Sequence, residues 1–553
     1  MNKEKLFFLD QHGCAKNQVD GELIVTQLAS IGWKRTEEAD KAALIIVNSC
    51  GFIKSAKEDS LNSLFYAKNS YPNAKILLSG CLAERYAENF RQSLPEADGV
   101  FGNGDISKIC DVVKSLFEEN SENRPIVTVP QTGISNGERI EFLNLPGSAY
   151  IKITEGCDNV CSFCAIPLIR GRLRSRPIDD IVSEINSLLK RGIFEFNLIG
   201  QDLASYGYAP GEGGKDSAFG NFTGLVFKRG VSGSVNFALG VTNSDNGNFV
   251  LGSADSASAN LGGMVKSPLR VLLEKISEIK GDFWIRLLYI HPDNFPLDIL
   301  EVIKKDKRIL PYFDIPFQSG DDSIIRAMNR HGSASSYVKL VQKIRTECEK
   351  SEYGDCAIRT TFLCGFPGET DENALNTKRF LSEIQSDWSG CFAYSREEDT
   401  PAYSMKNQVP AKKAQKRCDE LNECQSKIIA ERLSRHVGKV YRVLIEEIVE
   451  VASERGVTDE TFDASERGIT GESFDATGED GIQSDDIYAS ENQGIAIARS
   501  WFQAPDVDGN VVVYYDLDDE VALETIKSGK TVFVKICGVS GVDIFGDFVN
   551  GAN

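Results

Sequence analysis

Three cysteines spaced as C-x3-C-x2-C constrain this chain more than any other feature of its sequence. Cys157, Cys161 and Cys164 lie within the stretch IKITEGCDNVCSFCAIPLIRGR. Thiolates of this kind are the ligands of iron–sulfur clusters, and three of them leave one iron of a four-iron cluster free to bind a molecule that is not protein. A zinc knuckle is the alternative, but a structural zinc site needs a fourth Cys or His nearby, and none follows in the next stretch. The motif therefore predicts a four-iron cluster with an open coordination position.

Length and composition limit the class of protein. A chain of 553 residues is too long for one hydrophobic core and predicts three or four domains. No apolar run reaches the roughly 18 residues of a membrane span, and the first residues do not form a signal peptide, so we expect a cytoplasmic protein. The 14 cysteines then indicate reduced thiols or metal ligands rather than disulfides. A net charge of −20 argues against non-specific binding to a phosphate backbone.

A second group of three cysteines lies in the first 118 residues. Three β-rich apolar runs end at Cys14, Cys50 and Cys81, and a helix-like stretch follows each. Parallel strands end at the same edge of a sheet, so a doubly wound α/β domain would bring the three thiols together and predicts a second cluster. Three ordinary buried thiols are the alternative, since free cysteine is often buried. Cys110 lies inside a helical stretch and is expected in the core.

The strand–helix alternation returns after a polar, turn-rich segment at 119–147, which we interpret as a linker. Predicted strands at 149–154, 195–200, 284–289, 312–316 and 357–364 alternate with helices at 178–191, 268–279, 297–304 and 337–349. Repeated βα units predict a full or partial barrel with its active face at the carboxyl ends of the strands. The strand ends carry further candidate site residues: Gln201, Asp202, His291, Pro292, Gln318, Ser319, Gly365 and Phe366.

Two segments interrupt this plan. Residues 211–266 hold 12 Gly and 7 Ser, with runs such as LVFKRG, SVNFALGV and GNFVLGSA that are typical of short hairpin strands. This segment is interpreted as a tolerated surface insertion, with a lid over the active face as the alternative. A second, acidic insertion at 452–490 contains SERGVTDETFDA followed at once by SERGITGESFDA, a tandem duplication of 12 residues.

The end of the chain predicts a small β-barrel. A charged helix at 411–436 leads into residues 437–553, whose strands are enough for a five-stranded barrel of the oligonucleotide-binding type. This tail holds 8 Lys or Arg against 24 Asp or Glu, which suits a basic protein partner rather than nucleic acid. We expect the tail to bind substrate as a separable unit, so that its deletion preserves the chemistry of the barrel.

The stretch TEGCDNVCSFCAIPLIRGRLRSRP resembles the cluster loop of radical S-adenosylmethionine (SAM) enzymes. This resemblance implies that the open iron binds the amino and carboxylate groups of SAM, and that Phe163 lies at the aromatic position beside the adenine. RTTFLCGFPGET, a strand ending in a glycine turn, resembles a SAM-cradling element. The candidate SAM contacts are Phe163, Gln201, Asp202, Gln318, Gly365 and Phe366. No catalytic side chain is assigned, because the radical chemistry belongs to the clusters and SAM.

Taken together, the two cysteine triads and the terminal β-barrel resemble the methylthiotransferases. The resemblance implies a domain at 1–118 with an auxiliary [4Fe-4S] cluster, a radical SAM domain at 148–410 with a second [4Fe-4S] cluster, and a TRAM domain at 437–553. The motifs FNLIGQDLASYG, ILPYFDIPFQSGDDSIIRAMNR, RTTFLCGFPGET, FAYSREEDTPAY and ARSWFQAPDVDGNVVV resemble the branch that modifies a ribosomal protein.

By this resemblance the protein is a transferase that adds a methylthio group to the β-carbon of an aspartate in small-subunit ribosomal protein number twelve. One SAM would donate the methyl group and a second would give the radical, with an electron donor such as flavodoxin or ferredoxin. Two other functions stay open. A tRNA adenosine methylthiotransferase shares all six cysteines, and a non-catalytic iron–sulfur electron carrier would need no SAM pocket.

Overall fold

The computed structural model describes residues 5–118, 125–130, 133, 136–143, 145–208, 266–449 and 492–551, with strand segments at 226–229 and 235–238. The acidic insertion at 452–490, its 12-residue duplication and most of the insertion at 211–266, including the run GNFVLGSA, lie outside the described residues. No helix in the described part of the chain is long and apolar enough to cross a membrane.

The first domain is built on a six-stranded parallel sheet with the order β2-β1-β3-β4-β5-β6. Its central strand has the sequence LIIVNS and is buried along its whole length, as a run of apolar residues in a parallel sheet should be. The strands are β1 (Leu6–Gln11), β2 (Lys34–Arg35), β3 (Leu44–Ser49), β4 (Lys75–Gly80), β5 (Gly99–Phe101) and β6 (Ile126–Thr128). The helices are α1 (Ala15–Ser30), α2 (Lys54–Ser70), α3 (Cys81–Ser93) and α4 (Ile109–Leu116). The strand order reverses between β1 and β3, which is where doubly wound sheets bind ligands.

The segment at 119–147 is not only a linker. Its strand β6 pairs with β5 in parallel register and completes the first sheet. Farther along, Arg139 is buried and its guanidinium donates 2.6 and 2.7 Å hydrogen bonds to Glu22 and Glu184. The predicted boundary at residue 118 therefore leaves out one strand of the first domain. A three-residue edge strand in a polar stretch has too few positions to show a sequence period.

The second sheet is the predicted partial barrel, with six parallel strands in the order β16-β15-β14-β13-β10-β7. The strands from residue 148 to 393 are β7 (Ser148–Lys152), β8 (Thr154–Glu155), β9 (Arg174–Ser175), β10 (Glu195–Ile199), β11 (Val226–Arg229), β12 (Val235–Ala238), β13 (Trp284–Leu287), β14 (Ile309–Asp314), β15 (Ala357–Cys364) and β16 (Trp388–Ala393). The helices are α5 (Ile166–Arg170), α6 (Ile178–Lys190), α7 (Pro268–Ser277), α8 (Leu300–Ile303), α9 (Asp322–Ala327), α10 (Ala334–Cys348) and α11 (Asp371–Ile384).

The structure differs from or extends the prediction for this region in several details. The short helices α5 and α9, and helix α11 with the strand β16 that follows it, were not predicted. The predicted helix at 297–304 begins as a 3-10 turn at Leu297–Ile299 before α8. Strands β11 and β12 pair antiparallel, as expected from the runs LVFKRG and SVNFALGV.

The tail follows the long helix α12 (Ala411–Ser434) and is a closed barrel with the order β17-β18-β19-β21-β20. The predicted five-stranded barrel is thus confirmed. Its elements are β17 (Val440–Val449), β18 (Gln493–Arg499), β19 (Val511–Asp516), α13 (Glu520–Thr525), β20 (Thr531–Ser540) and β21 (Asp543–Val549).

The tail is not a separable unit, because it supplies part of the interior of the partial barrel. The loop between β18 and β19, residues 500–510, lies against the strands of the second sheet, and we call it the barrel-base loop. Tyr150 donates a 2.8 Å hydrogen bond to Asp506, and Tyr312 donates a 2.6 Å bond to Asp508. The indole of Trp388 donates to a carbonyl of the same loop at 2.7 Å.

A buried ion cluster completes this contact. Glu195, the first residue of β10, accepts hydrogen bonds from Arg286 of β13 and Arg499 of β18, at 2.9 and 2.7 Å for the shortest bond to each. All three side chains are almost fully buried. Buried charges are tolerated only when they are paired and hydrogen-bonded, so the barrel requires the tail to keep these groups satisfied.

Candidate metal and cofactor site

The three cysteines of the first domain are brought together at the point where the strand order reverses. Cys14 caps α1, Cys50 follows β3, and Cys81 begins α3. Two glycines let the cysteine-bearing turns touch. A Cβ atom on Gly13 would lie 3.2 Å from the Cβ of Cys50, and one on Gly51 would lie 2.6 Å from the backbone oxygen of Cys81. The structure thus places the first triad as the sequence predicted, while metal binding by these thiols stays a prediction.

The surroundings of this triad fit an anionic cluster. Arg170 donates a 3.1 Å hydrogen bond to the sulfur of Cys81, and both Arg170 and Lys16 exert their positive charge on Cys14. Three thiolates around a four-iron core leave a negative group, which cationic neighbours stabilise. The donor set and its charge environment therefore match the predicted auxiliary cluster.

The second triad lies on a loop that closes on itself. Strands β8 and β9 pair antiparallel at its two ends, and the backbone nitrogen of Cys157 donates to the oxygen of Gly171 at 3.2 Å. Gly156 has a φ of +74°, and a Cβ there would lie 2.1 Å from the backbone oxygen of Arg172, so only glycine fits. This closure sets the position from which the three cysteines project.

Burial keeps several of these thiols protonated in the absence of metal. It raises the pKa of Cys50, Cys157 and Cys164 to about 12. Only the thiolate is a metal ligand, so metal binding here must displace protons. Among the described residues, no group of three or more His, Cys, Asp or Glu side chains is arranged to hold a single metal ion. The ligands of a four-iron cluster each bind a different iron and need no such convergence.

Two of the predicted SAM contacts share one apolar cluster beside the second triad. Phe163 packs against a buried cluster that contains Phe366, Met328 and Ala402, and the Phe366 ring is 5.7 Å from that of Tyr394. These two candidate SAM contacts therefore belong to the same apolar cluster. An apolar, aromatic-lined wall of this kind suits a flat heteroaromatic ring such as adenine.

The residues after β10 have different roles. Gln201 donates a 2.9 Å hydrogen bond to Glu155, while its side-chain oxygen is buried without a partner among the described residues. That oxygen is free to accept from a bound molecule. The Asp202 carboxylate is already used, because it accepts from the side chain of Asn159 at 2.8 Å and from the backbone of His291 at 3.0 Å. Asp202 thus fixes the cluster loop to the barrel, and direct contact with SAM stays a prediction.

Gln318 and Gly365 shape the opposite strand ends. Gln318 has a φ of +69°, and its backbone bonds to Thr361 and Leu363 tie the end of β14 to β15. Gly365 has a φ of +78°, and a Cβ there would lie 2.3 Å from the Cβ of Ala414 in α12. The need for glycine at 365 is thus explained by the passing helix. The structure brings both residues to the active face, but their contact with SAM is untested.

A buried ion network that the sequence analysis missed joins the two triads. Arg170, which ends α5, bonds Asp20 of α1 at 2.7 Å as well as Cys81. Lys152 bonds Asp20 at 2.5 Å and Glu155 at 3.0 Å. Both ends of the second cysteine loop are thereby fixed to the helix that Cys14 caps. The sequence does contain one sign of this network, because a charged residue next to an apolar run, such as the lysine in SAYIK, indicates a buried charge that needs a partner.

A second contact holds the other side of the first domain. Glu397, in the loop after β16, is buried and accepts from Lys57 of α2 and Arg85 of α3, both at 2.7 Å. The first domain is therefore fixed to the active face of the barrel at two separate places. The two triads therefore belong to domains whose boundary is held by buried ion pairs at both of these places.

The chain matches three families in order along its length. An uncharacterized protein family, UPF0004, matches residues 6–102, the radical SAM superfamily matches residues 151–381, and the TRAM domain matches residues 483–549.

Several named relatives align along most of this chain. A protein of Treponema denticola named ribosomal protein uS12 methylthiotransferase RimO is 46% identical over 543 residues, covering 97% of this chain and 99% of the relative. Relatives with the same name from Natranaerobius thermophilus and Thermosipho africanus are 35% and 32% identical, covering 79% and 92% of this chain and 86% and 93% of their own lengths. This chain belongs to the RimO family of radical SAM methylthiotransferases.

Proposed function

We propose that this protein attaches a methylthio group to the β-carbon of an aspartate in ribosomal protein uS12. The observation that carries the proposal is the buried ion network of Arg170, Asp20 and Lys152, which ties the second cysteine loop to the helix and the cysteine of the first triad. The target carbon must react first with a radical and then with a sulfur, so the enzyme needs two cluster sites at a fixed separation. The names of the relatives supply the identity of the substrate.

The two cysteine triads indicate the cofactors. Cys14, Cys50 and Cys81 would hold an auxiliary [4Fe-4S] cluster, and the second cysteine triad would hold the cluster that binds SAM. When bound, these groups supply the radical that removes hydrogen from the β-carbon, together with the methyl group and the sulfur that are attached. The electrons would come from a small carrier such as flavodoxin or ferredoxin, and the reaction would take place in the cytoplasm.

The chain's own residues would bind and orient SAM and exclude water from the site. The apolar wall of Phe163 and Phe366 would cover the adenine, and the free oxygen of Gln201 is placed to accept a hydrogen bond from SAM. Asp202 holds the cysteine loop through Asn159. The contacts of Arg170 and Glu397 keep the boundary between the domains closed, which protects a reactive carbon from solvent.

The test is mass spectrometry of uS12 from cells with and without the gene, followed by reaction of purified uS12 and purified tRNA with the reconstituted enzyme. We expect a mass gain of one methylthio group on a uS12 aspartate only when the gene is present. A variant with Cys157→Ala provides the inactive control. Modification of tRNA adenosine with unmodified uS12 would replace this proposal by a tRNA methylthiotransferase.

A further inference from the structure

Lys16 occupies an unusual position for a lysine. It lies in the first turn of α1, two residues after Cys14, and only 7% of its surface is exposed. Its ammonium donates a 2.8 Å hydrogen bond to the backbone oxygen of Gly200 and lies 4.4 Å from the ring centroid of Tyr289. Those two residues follow β10 and β13. A helix of the first domain thus extends a positive charge onto the active face of the barrel.

This charge is not neutralised by a neighbouring carboxylate within the described part of the chain. Two other buried cations on this face, Arg170 and Lys152, share Asp20, whereas Arg330 donates to the backbone oxygens of Pro316 and Phe317. Asp314 feels the charge of Lys16, but its carboxylate oxygens bond to Arg359 at 3.4 Å and to the backbone of Tyr289 at 3.3 Å. A buried ammonium group normally requires an anionic partner, because desolvation of an unpaired charge is costly. The charge of Lys16 also acts on Cys14, so an anionic cluster on the first triad would be one such partner.

Position and charge together identify the partner that would fit. The ammonium group lies between Cys14 of the first triad and Gly200, the residue before Gln201, on the side of the second triad. The carbon that receives the methylthio group is bonded directly to a carboxylate carbon. A cation that binds this carboxylate would hold the reacting carbon between the two centres.

We propose that Lys16 binds the side-chain carboxylate of the target aspartate and thereby selects a carboxylate substrate. This inference rests on the proposed function and adds a specificity-determining residue to it. The competing role is compensation of the negative charge at Cys14. In that role Lys16 would set the reduction potential of the auxiliary cluster and would have no effect on which substrate binds.

The experiment is a double-mutant cycle on substrate binding by the holoenzyme, without reductant so that no turnover occurs. Wild-type enzyme, Lys16→Met and Lys16→Arg are each titrated with uS12 and with uS12 carrying asparagine at the target aspartate. A charged hydrogen bond should make the wild-type enzyme prefer aspartate by roughly ten- to hundredfold. The preference should fall to near one in Lys16→Met and be partly kept in Lys16→Arg, which retains the charge.

Lys54→Met is the matched control, because Lys54 belongs to the same domain but its side chain is 77% exposed. The control should keep the wild-type preference for aspartate. An unchanged preference in Lys16→Met, or a shift only in the potential of the auxiliary cluster, overturns the role of Lys16. Failure of the wild-type enzyme to modify uS12 overturns the proposed function instead.

Discussion

The buried ion cluster at the base of the barrel gives a prediction about stability. Replacing Glu195 by alanine removes the carboxylate that serves Arg286 and Arg499 together. Arg499 would still bond Glu446, but Arg286 would keep only the backbone oxygens of the barrel-base loop as acceptors. An arginine that is fully buried in the native protein would then lack a negative partner.

The cost should be large because neither arginine can reach water. Removing one partner of a buried ion pair typically costs about 3–5 kcal/mol, whereas an exposed pair contributes about 0–1 kcal/mol. Glu195→Gln keeps the shape and one acceptor oxygen, so its loss should be smaller than that of Glu195→Ala. The triple replacement of Glu195, Arg286 and Arg499 by apolar residues should recover much of the stability, since no charge is left unpaired.

Urea unfolding of the metal-free protein, followed by tryptophan fluorescence, measures this effect. Trp284, Trp388 and Trp501, three of the four tryptophans in the chain, are buried in the region where barrel and tail meet. With a slope of about 3 kcal/mol per molar urea, a 3–5 kcal/mol loss lowers the midpoint by about 1–2 M. Glu278→Ala removes an exposed partner of Lys275 and serves as the control. An unchanged midpoint in Glu195→Ala would refute the view that the tail and barrel share this charge cluster.

Three other predictions concern the cysteine sites and pH. Arg170→Met should shift the midpoint potential of the auxiliary cluster to more negative values in an EPR-monitored titration, because a charged N–H···S bond is lost. The control is Arg172→Met, which changes an exposed arginine of the same loop and should leave the midpoint potential unchanged. Cys157→Ala should abolish formation of 5′-deoxyadenosine, whereas Cys50→Ala should still form it but stop methylthiolation; loss of 5′-deoxyadenosine in both folded variants would contradict separate roles. Burial opposes ionisation of Glu195, but its two arginines hold its pKa far below the usual range. The stability difference between wild type and Glu195→Gln should therefore be complete above the unfolded-state pKa of about 4.3 and should shrink as pH falls below it, as urea midpoints at several pH values would show.

The elements that the sequence predicted best are those that a short continuous run of residues is enough to identify. The run LIIVNS and its two neighbouring strands are each followed closely by a cysteine, and the parallel arrangement that this pattern predicts is observed. Short edge strands such as β6 have no such signal. Contacts between residues far apart in sequence, such as Lys152 with Asp20, are set by the packing of two domains and leave no periodic pattern.

The net charge of the tail is larger than the charge that the tail presents to a partner, because some of its acidic residues do not reach the surface. Asp508 and Glu446 are buried, where they accept from groups of the barrel and from Arg499. The charge that the tail presents to a substrate is therefore less negative than its sequence indicates, because part of it is used inside the protein.

The contact between the barrel and the tail also has a consequence for synthesis of the chain. Glu195 and Arg499 are separated by 304 residues, so about 15 to 60 s pass between their emergence at ordinary rates of translation. During that interval the inner face of the sheet lacks the barrel-base loop, and apolar surface stays open to unwanted association. Nascent chains should therefore depend on chaperones until residues 500–510 have left the ribosome. A truncated chain that ends before the tail should accumulate as aggregate rather than as a smaller active enzyme.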